Sequence, residues 1–96
     1  MKNKKKINIS VVGTGLMGHQ HLKAIKKSKS ARIHSIVDIN KNAVNLAKKY
    51  NVPIFKNLNK LLENKNFDAV IVATPNKLHE KHTISFLKYN IPVLLE

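Results

Sequence analysis

The sequence predicts a doubly wound α/β fold, a parallel sheet with helices on both faces, and three observations predict it. Strand-like and helix-like periodicities alternate along the whole chain of 96 residues, with short connections between them. The stretch Ala69–Val72 is continuously apolar, the pattern of a parallel strand buried on both faces. All 3 glycines, Gly13, Gly15 and Gly18, fall in one loop directly after the first strand and open the first helix.

Each element follows from its residues. Ile7–Val12 is rich in β-branched side chains and runs straight into Gly13, which makes it the first strand. From Leu16 to about Ser28 the pattern turns helical, with Gly18, Leu22 and Ile25 spaced i, i+4, i+7 on one face. Ala31–Asp38 is a second strand rich in Ile and Val. Lys41–Tyr50 is a second helix carrying Ala43, Leu46, Ala47 and Tyr50 on its inner face, and Asn51 suits the left-handed position that ends it. Pro53–Phe55 is a short third strand, and Leu58, Leu61 and Leu62 mark a short third helix. Asp68–Val72 is the fourth strand. Asn76 can N-cap a fourth helix that turns Thr83, Phe86 and Leu87 inward and closes near Asn90. Pro92–Leu95 begins a fifth strand, and the connections imply right-handed crossovers. Residues 1–6 read as a disordered basic lead, and 7–96 as one domain without internal repeats or linkers.

Composition narrows the class further. A chain of this length buries roughly 60–70% of its unfolded surface. With 5% aromatics, its core must be aliphatic. The absence of cysteine removes disulfides, thiolate metal sites and cysteine nucleophiles together. The longest apolar run, Ala69–Ala73, is far short of the roughly 20 residues of a membrane span. The lead Met1–Lys6 is charged like the start of a signal peptide. The apolar run behind it is interrupted by Asn8 and Ser10 and offers no cleavage site, so a cytoplasmic location is expected. The net charge of +13 invites a nucleic-acid reading, but 18 basic residues include a single arginine, Arg32, and are strewn along the chain without interleaved aromatics. A solvated lysine surface is the better account, and nucleic acid is not an expected partner.

Gly13-Thr14-Gly15-Leu16-Met17-Gly18 is a GxGxxG element placed between a strand and a helix. In a dinucleotide site the first glycine permits the tight turn, the second lets the backbone approach a pyrophosphate, and the third lets helix and strand pack closely. Asp38 ends the second strand 20 residues beyond Gly18, where a ribose-binding carboxylate belongs. Two rival readings fail on the same residues. His19-Gln20 stands where a P-loop needs Lys-Ser or Lys-Thr, and Met17 stands where a GxGxG methyl-donor loop needs glycine. A Rossmann-type domain with strand order 3-2-1-4-5 is the expectation. Asp38 accepts from the 2′-hydroxyl of NAD and repels the 2′-phosphate of NADP, which favours NAD, while Lys41 is the nearest cation that could tolerate NADP.

Further motifs stand in order behind these. The GxGxxG loop extends to GxxH at His21; Ala73-Thr74-Pro75-Asn76-Lys77-Leu78-His79 follows the fourth strand; and Glu96 follows the fifth. Together they resemble the N-terminal domain of the Gfo/Idh/MocA oxidoreductases, the glucose-fructose oxidoreductase and inositol dehydrogenase family, over about residues 7–96. The resemblance implies a cofactor cleft lined by the glycine loop, Asp38, Ala73, Thr74, Pro75, Asn76 and His79, with Glu96 near its nicotinamide end. It implies hydride transfer between NAD or NADP and a hydroxyl-bearing carbon of a sugar, cyclitol or nucleotide-sugar. The sequence departs from the family pattern in one respect: the lysine that follows the family's glutamate, assigned to substrate binding and proton transfer, is not in this chain. The substrate domain is not in it either. No catalytic residue is therefore assigned, the small-molecule substrate is expected only of a longer parent, and the chain alone is expected to be inactive. The alternative is a non-catalytic NAD-binding or interaction module. An uncovered fifth strand would leave an apolar edge open to self-association. Of the histidines, His19 and His21 diverge by about 200° on a helix, and His79 and His82 lack a third ligand, so no metal is expected.

Overall fold

The computed structural model describes residues 6–38, 40, 42–63, 66–73, 88 and 91–95. Its strands are β1 (Ile7–Val12), β2 (Ala31–Val37), β3 (Ile54–Phe55), β4 (Ala69–Val72) and β5 (Val93–Leu95), and its helices are α1 (Leu16–Lys27), α2 (Asn42–Tyr50) and α3 (Leu58–Glu63). The strands form one sheet in the order β3-β2-β1-β4-β5, and every neighbouring pair is parallel. This is the expected order. The chain winds outward from β1 through β2 to β3, then returns to lay β4 on the other side of β1. Between β1 and β4 the winding therefore changes direction, which is where open α/β sheets form their ligand crevice. The helix expected from Asn76 to Asn90 lies, apart from Lys88, outside the described residues.

Alternation along the strands sends neighbouring side chains to opposite faces. Val11, Ile36 and Ile71 join Leu22 and Ile25 of α1 and Ala43, Leu46 and Ala47 of α2 in one core cluster. Val12, Val37, Val70 and Val72 join Leu61 of α3 and Phe67 in a second, on the opposite face. The sheet is thus covered on both sides. The inner faces read from the periodicity of α1 and α2 are the ones buried; Phe67, which lies outside any helix or strand, is a core residue that pattern reading did not single out.

Burial increases along the strands toward their C-terminal ends. β1 passes from an exposed Ile7 to buried Ser10, Val11 and Val12, and β2 ends on buried Ser35, Ile36 and Val37. The two buried hydroxyls satisfy each other: Ser10 Oγ and Ser35 Oγ are 2.9 Å apart, and Ser35 Oγ also meets His34 Nδ1 at 2.8 Å. His34 is the product of a register shift. Ile9 pairs with Ile33 but Ser10 pairs with Ser35, so His34 is an extra residue in β2, and its ring packs 5.5 Å from that of Phe67. The bulge lets Ile33 and Ile36, three residues apart, face the same α1–α2 cluster.

The α2 terminus shows how a local signal is realised. Asn51 has φ 56°, its N–H donates to Lys48 O at 3.1 Å, and Val52 N–H donates to Ala47 O at 3.0 Å. This is a Schellman closure with asparagine in the left-handed position, as the sequence predicts.

Candidate functional site

The loop between β1 and α1 holds three glycines whose surroundings differ. Gly13 has φ 96°, a conformation that side chains rarely adopt, and its buried N–H donates to Val37 O at 2.9 Å. That bond carries the β1–β2 ladder one residue past the strand. Gly18 is buried in the first turn of α1, and a Cβ there would run into the Gly13 carbonyl oxygen. Its lack of a side chain lets the helix start directly on the turn. Gly15 is different. Its φ of −70° is open to any residue, and apart from its chain neighbours a Cβ would meet no atom of the described residues within 4 Å. Neither backbone conformation nor packing among the described residues requires glycine there; the open space in front of the loop is what a side chain would fill. The residues present therefore fit a group that must approach this backbone closely.

Beside that space stands the start of α1. His19 N–H donates the first helical hydrogen bond to Gly15 O at 3.0 Å. Gly15, as N-cap, has no side chain with which to cap the N–H groups of the turn that follows it, and that first turn carries no acidic residue. Those donors, with the positive end of the helix dipole, suit an anion such as a pyrophosphate. Leu16 opens the helix, and Met17 is 41% exposed in its first turn.

Asp38 comes to this loop from the end of β2. Its Oδ2 accepts hydrogen bonds from Thr14 N–H at 2.8 Å and from Thr14 Oγ1 at 2.5 Å. Its Oδ1 accepts from Asn40 N–H at 2.8 Å, closing a turn of the kind aspartate often makes after a strand. Turn-forming and loop contact thus coexist in one half-buried carboxylate. Ala73 follows β4 on the same edge, its N–H donating to Val12 O at 2.8 Å. The sheet accordingly gathers Gly13, Asp38 and Ala73 at the C-terminal ends of three adjacent strands. His21 is half-buried on α1. Thr74, Pro75, Asn76, His79 and Glu96, together with Lys41, lie outside the described residues. The double grip of Thr14 on Asp38 was not legible in the sequence: the two are 24 residues apart, and spacing says nothing of where a strand-end side chain turns.

No helix among the described residues is long and apolar enough to cross a membrane. Among solved structures, the chain is similar to a scyllo-inositol dehydrogenase from Lactobacillus casei with bound NAD(H) and scyllo-inositol. The TM-score is 0.87 at 26% identity, over 95% of this chain and 28% of that one. Among curated proteins it is 30% identical, over 96% of its length, to a 2,7-anhydro-N-acetylneuraminate hydratase of Mediterraneibacter gnavus, covering 24% of that protein. It is 28% identical, over 94% of its length, to an inositol 2-dehydrogenase of Renibacterium salmoninarum, covering 28% of it. The chain spans about a quarter of the length of these relatives. Residues 7–96 match the oxidoreductase family described as having an NAD-binding Rossmann fold. With that match running from the first residue of β1 across nearly the whole sequence, the chain belongs to the Gfo/Idh/MocA oxidoreductases.

Proposed function

We propose that this chain is the nucleotide-binding domain of an NAD-dependent oxidoreductase. Its parent moves a hydride between the nicotinamide and a hydroxyl-bearing carbon of a sugar, cyclitol or nucleotide-sugar. The observation that carries the reading is Gly15, a glycine with no internal reason to be one, set before an uncapped helix terminus. Bound NAD supplies the hydride acceptor. The chain's own residues bind and orient it: Gly13, Thr14, Gly15, Leu16, Met17 and Gly18 hold the pyrophosphate side, and Asp38 takes a ribose hydroxyl and disfavours NADP. The rest of the cofactor site is assigned to Ala73 and, on the family resemblance alone, to Thr74, Pro75, Asn76, His79 and Glu96. The inositol dehydrogenase relatives support the substrate class, and a hydratase at similar identity is consistent with the reaction being chosen elsewhere in the parent. Substrate recognition and proton transfer belong to a further domain of the parent, which works in the cytoplasm.

Calorimetric titration of NAD into the chain and into Gly15→Val tests the assignment. The wild type binds, and the variant loses roughly 100-fold or more in affinity because its side chain fills the open space. Equal affinity would remove the glycine loop from the site. Self-association belongs to the same reading: β5 is an edge strand with Leu94 51% exposed. Where nothing covers that edge, a second copy pairs with it, the more readily as salt screens the positive charge. Light scattering that reports a monomer across a salt series would exclude this.

A further inference from the structure

We infer that Thr14 is a positioning residue that sets the preference for NAD over NADP by fixing which oxygen of Asp38 faces the ribose. The inference rests on the dinucleotide reading above. An ionised carboxylate offers about four acceptor positions, two on each oxygen. Thr14 fills both positions of Oδ2, with its N–H at 2.8 Å and its hydroxyl at 2.5 Å. Asn40 N–H occupies one position on Oδ1 at 2.8 Å. Among the described residues one acceptor position therefore remains, and it is on Oδ1. Three donors hold the group from two sides, from the glycine loop and from the turn after β2, so the carboxylate plane cannot swing about its own bond without losing hydrogen bonds.

Two consequences follow for a ribose presented to this loop. A free hydroxyl finds a fixed, charged acceptor and loses little on binding to it. A 2′-phosphate finds the same oxygen held in place, and rotation that would relieve the repulsion costs the carboxylate its hydrogen bonds. Discrimination then depends on Thr14 as well as on Asp38, although Thr14 itself need not touch the 2′ position. The backbone N–H of residue 14 would survive any substitution there other than proline. The hydroxyl is the part that sequence identity controls, and its bond to Asp38 is the shorter of the two.

The test is calorimetric titration of NAD and NADP, separately, into the full chain carrying threonine, Thr14→Val or Thr14→Ser. Valine keeps the shape and removes the donor; serine keeps the donor. The expected result is that Thr14→Val binds NAD about tenfold more weakly, with a much smaller loss for NADP, so that the ratio of the two affinities narrows by about fivefold. Thr14→Ser stays within about twofold of the wild-type ratio. A uniform loss for both dinucleotides in Thr14→Val would assign Thr14 to loop structure alone and overturn the inference. So would a gain in NAD affinity, which would mean that the Thr14–Asp38 bonds compete with ribose. A wild-type chain that binds neither dinucleotide would instead overturn the underlying reading, a result distinguishable from both.

Discussion

Asp38 and Asp68 perform the same act at opposite ends of β1. Asp38, from the end of β2, accepts Thr14 N–H at 2.8 Å just past the C-terminus of that strand. Asp68, just before β4, accepts Asn8 N–H at 2.8 Å near its N-terminus and returns its own N–H to Asn8 O at 2.7 Å. Roughly 20 Å of strand separates the two contacts. Both are aspartates tying β1 to its neighbour, and hydrogen-bond geometry alone would not tell a staple from a site. The surroundings do. Asp68 is exposed beside a plain strand start, whereas Asp38 is half-buried beside a left-handed turn, an unencumbered Gly15 and a helix terminus. The ligand site proposed at the end of this sheet rests on what the backbone leaves open among the described residues, with the carboxylate as its accessory.

The contrast is broken most forcefully at the glycines. Gly18→Ala should destabilise the fold by about 3 kcal/mol, because the new methyl meets backbone, the Gly13 carbonyl, which cannot rotate away. Gly15→Ala should change stability by less than about 0.5 kcal/mol, since apart from its chain neighbours no atom of the described residues lies within 4 Å of its Cβ. Thermal or urea denaturation of the two variants compares them directly. Equal losses would mean that both glycines serve the fold, and the reading of Gly15 as a ligand-facing position would fail.

The aspartates come next. Asp38→Ser should narrow the ratio of NAD to NADP affinity by about tenfold, by removing the charge that repels a 2′-phosphate. Asp68→Ala should leave that ratio unchanged and instead cost about 1 kcal/mol of stability, the worth of a charge-assisted hydrogen bond at an exposed position. If Asp68→Ala shifted the ratio as well, the effect would be one of net charge, not of position.

Legibility in the sequence divides along the same line. Elements set by short-range rules can be read closely: β4 from its apolar run, the faces of α1 and α2 from their spacing, and the end of α2 from Asn51. Strand order followed from the alternation of elements and the glycine loop, because parallel strands with short connections have few ways to wind. The pattern assigns a reason to each of the three glycines in order; the φ of Gly13 and the Gly13 carbonyl against the Cβ position of Gly18 give the first and third of those reasons their physical content. The bulge at His34 was not legible. An extra residue in β2 changes register without changing composition, and its signature, Ile33 and Ile36 on one face, looks like ordinary strand sequence. Nor was the hold of Thr14 on Asp38, or the burial of Phe67, which depend on tertiary placement across the fold.

The finest distinction between the two aspartates is whether each is needed as a charge or only as an acceptor, and asparagine separates these. In Asp68→Asn the amide oxygen can still take the Asn8 N–H, and the backbone bond from residue 68 to Asn8 O is untouched. The site is exposed, so water solvates the new amide group, and the strand start keeps both of its bonds. The expected loss is below about 0.5 kcal/mol by urea denaturation. Asp38→Asn has no such freedom. Its amide can offer one oxygen to the two Thr14 donors, but its nitrogen then replaces Oδ1, turning a donor toward Asn40 N–H and toward any ribose hydroxyl that needs an acceptor. Rotating the amide moves the conflict to Thr14 without removing it. The same one-atom exchange should therefore be nearly silent at position 68 and weaken NAD binding at position 38. A measurable stability loss in Asp68→Asn equal to that of Asp68→Ala would show that the N-terminal staple also depends on charge, and the contrast between the two ends of β1 would then rest on the glycine loop alone.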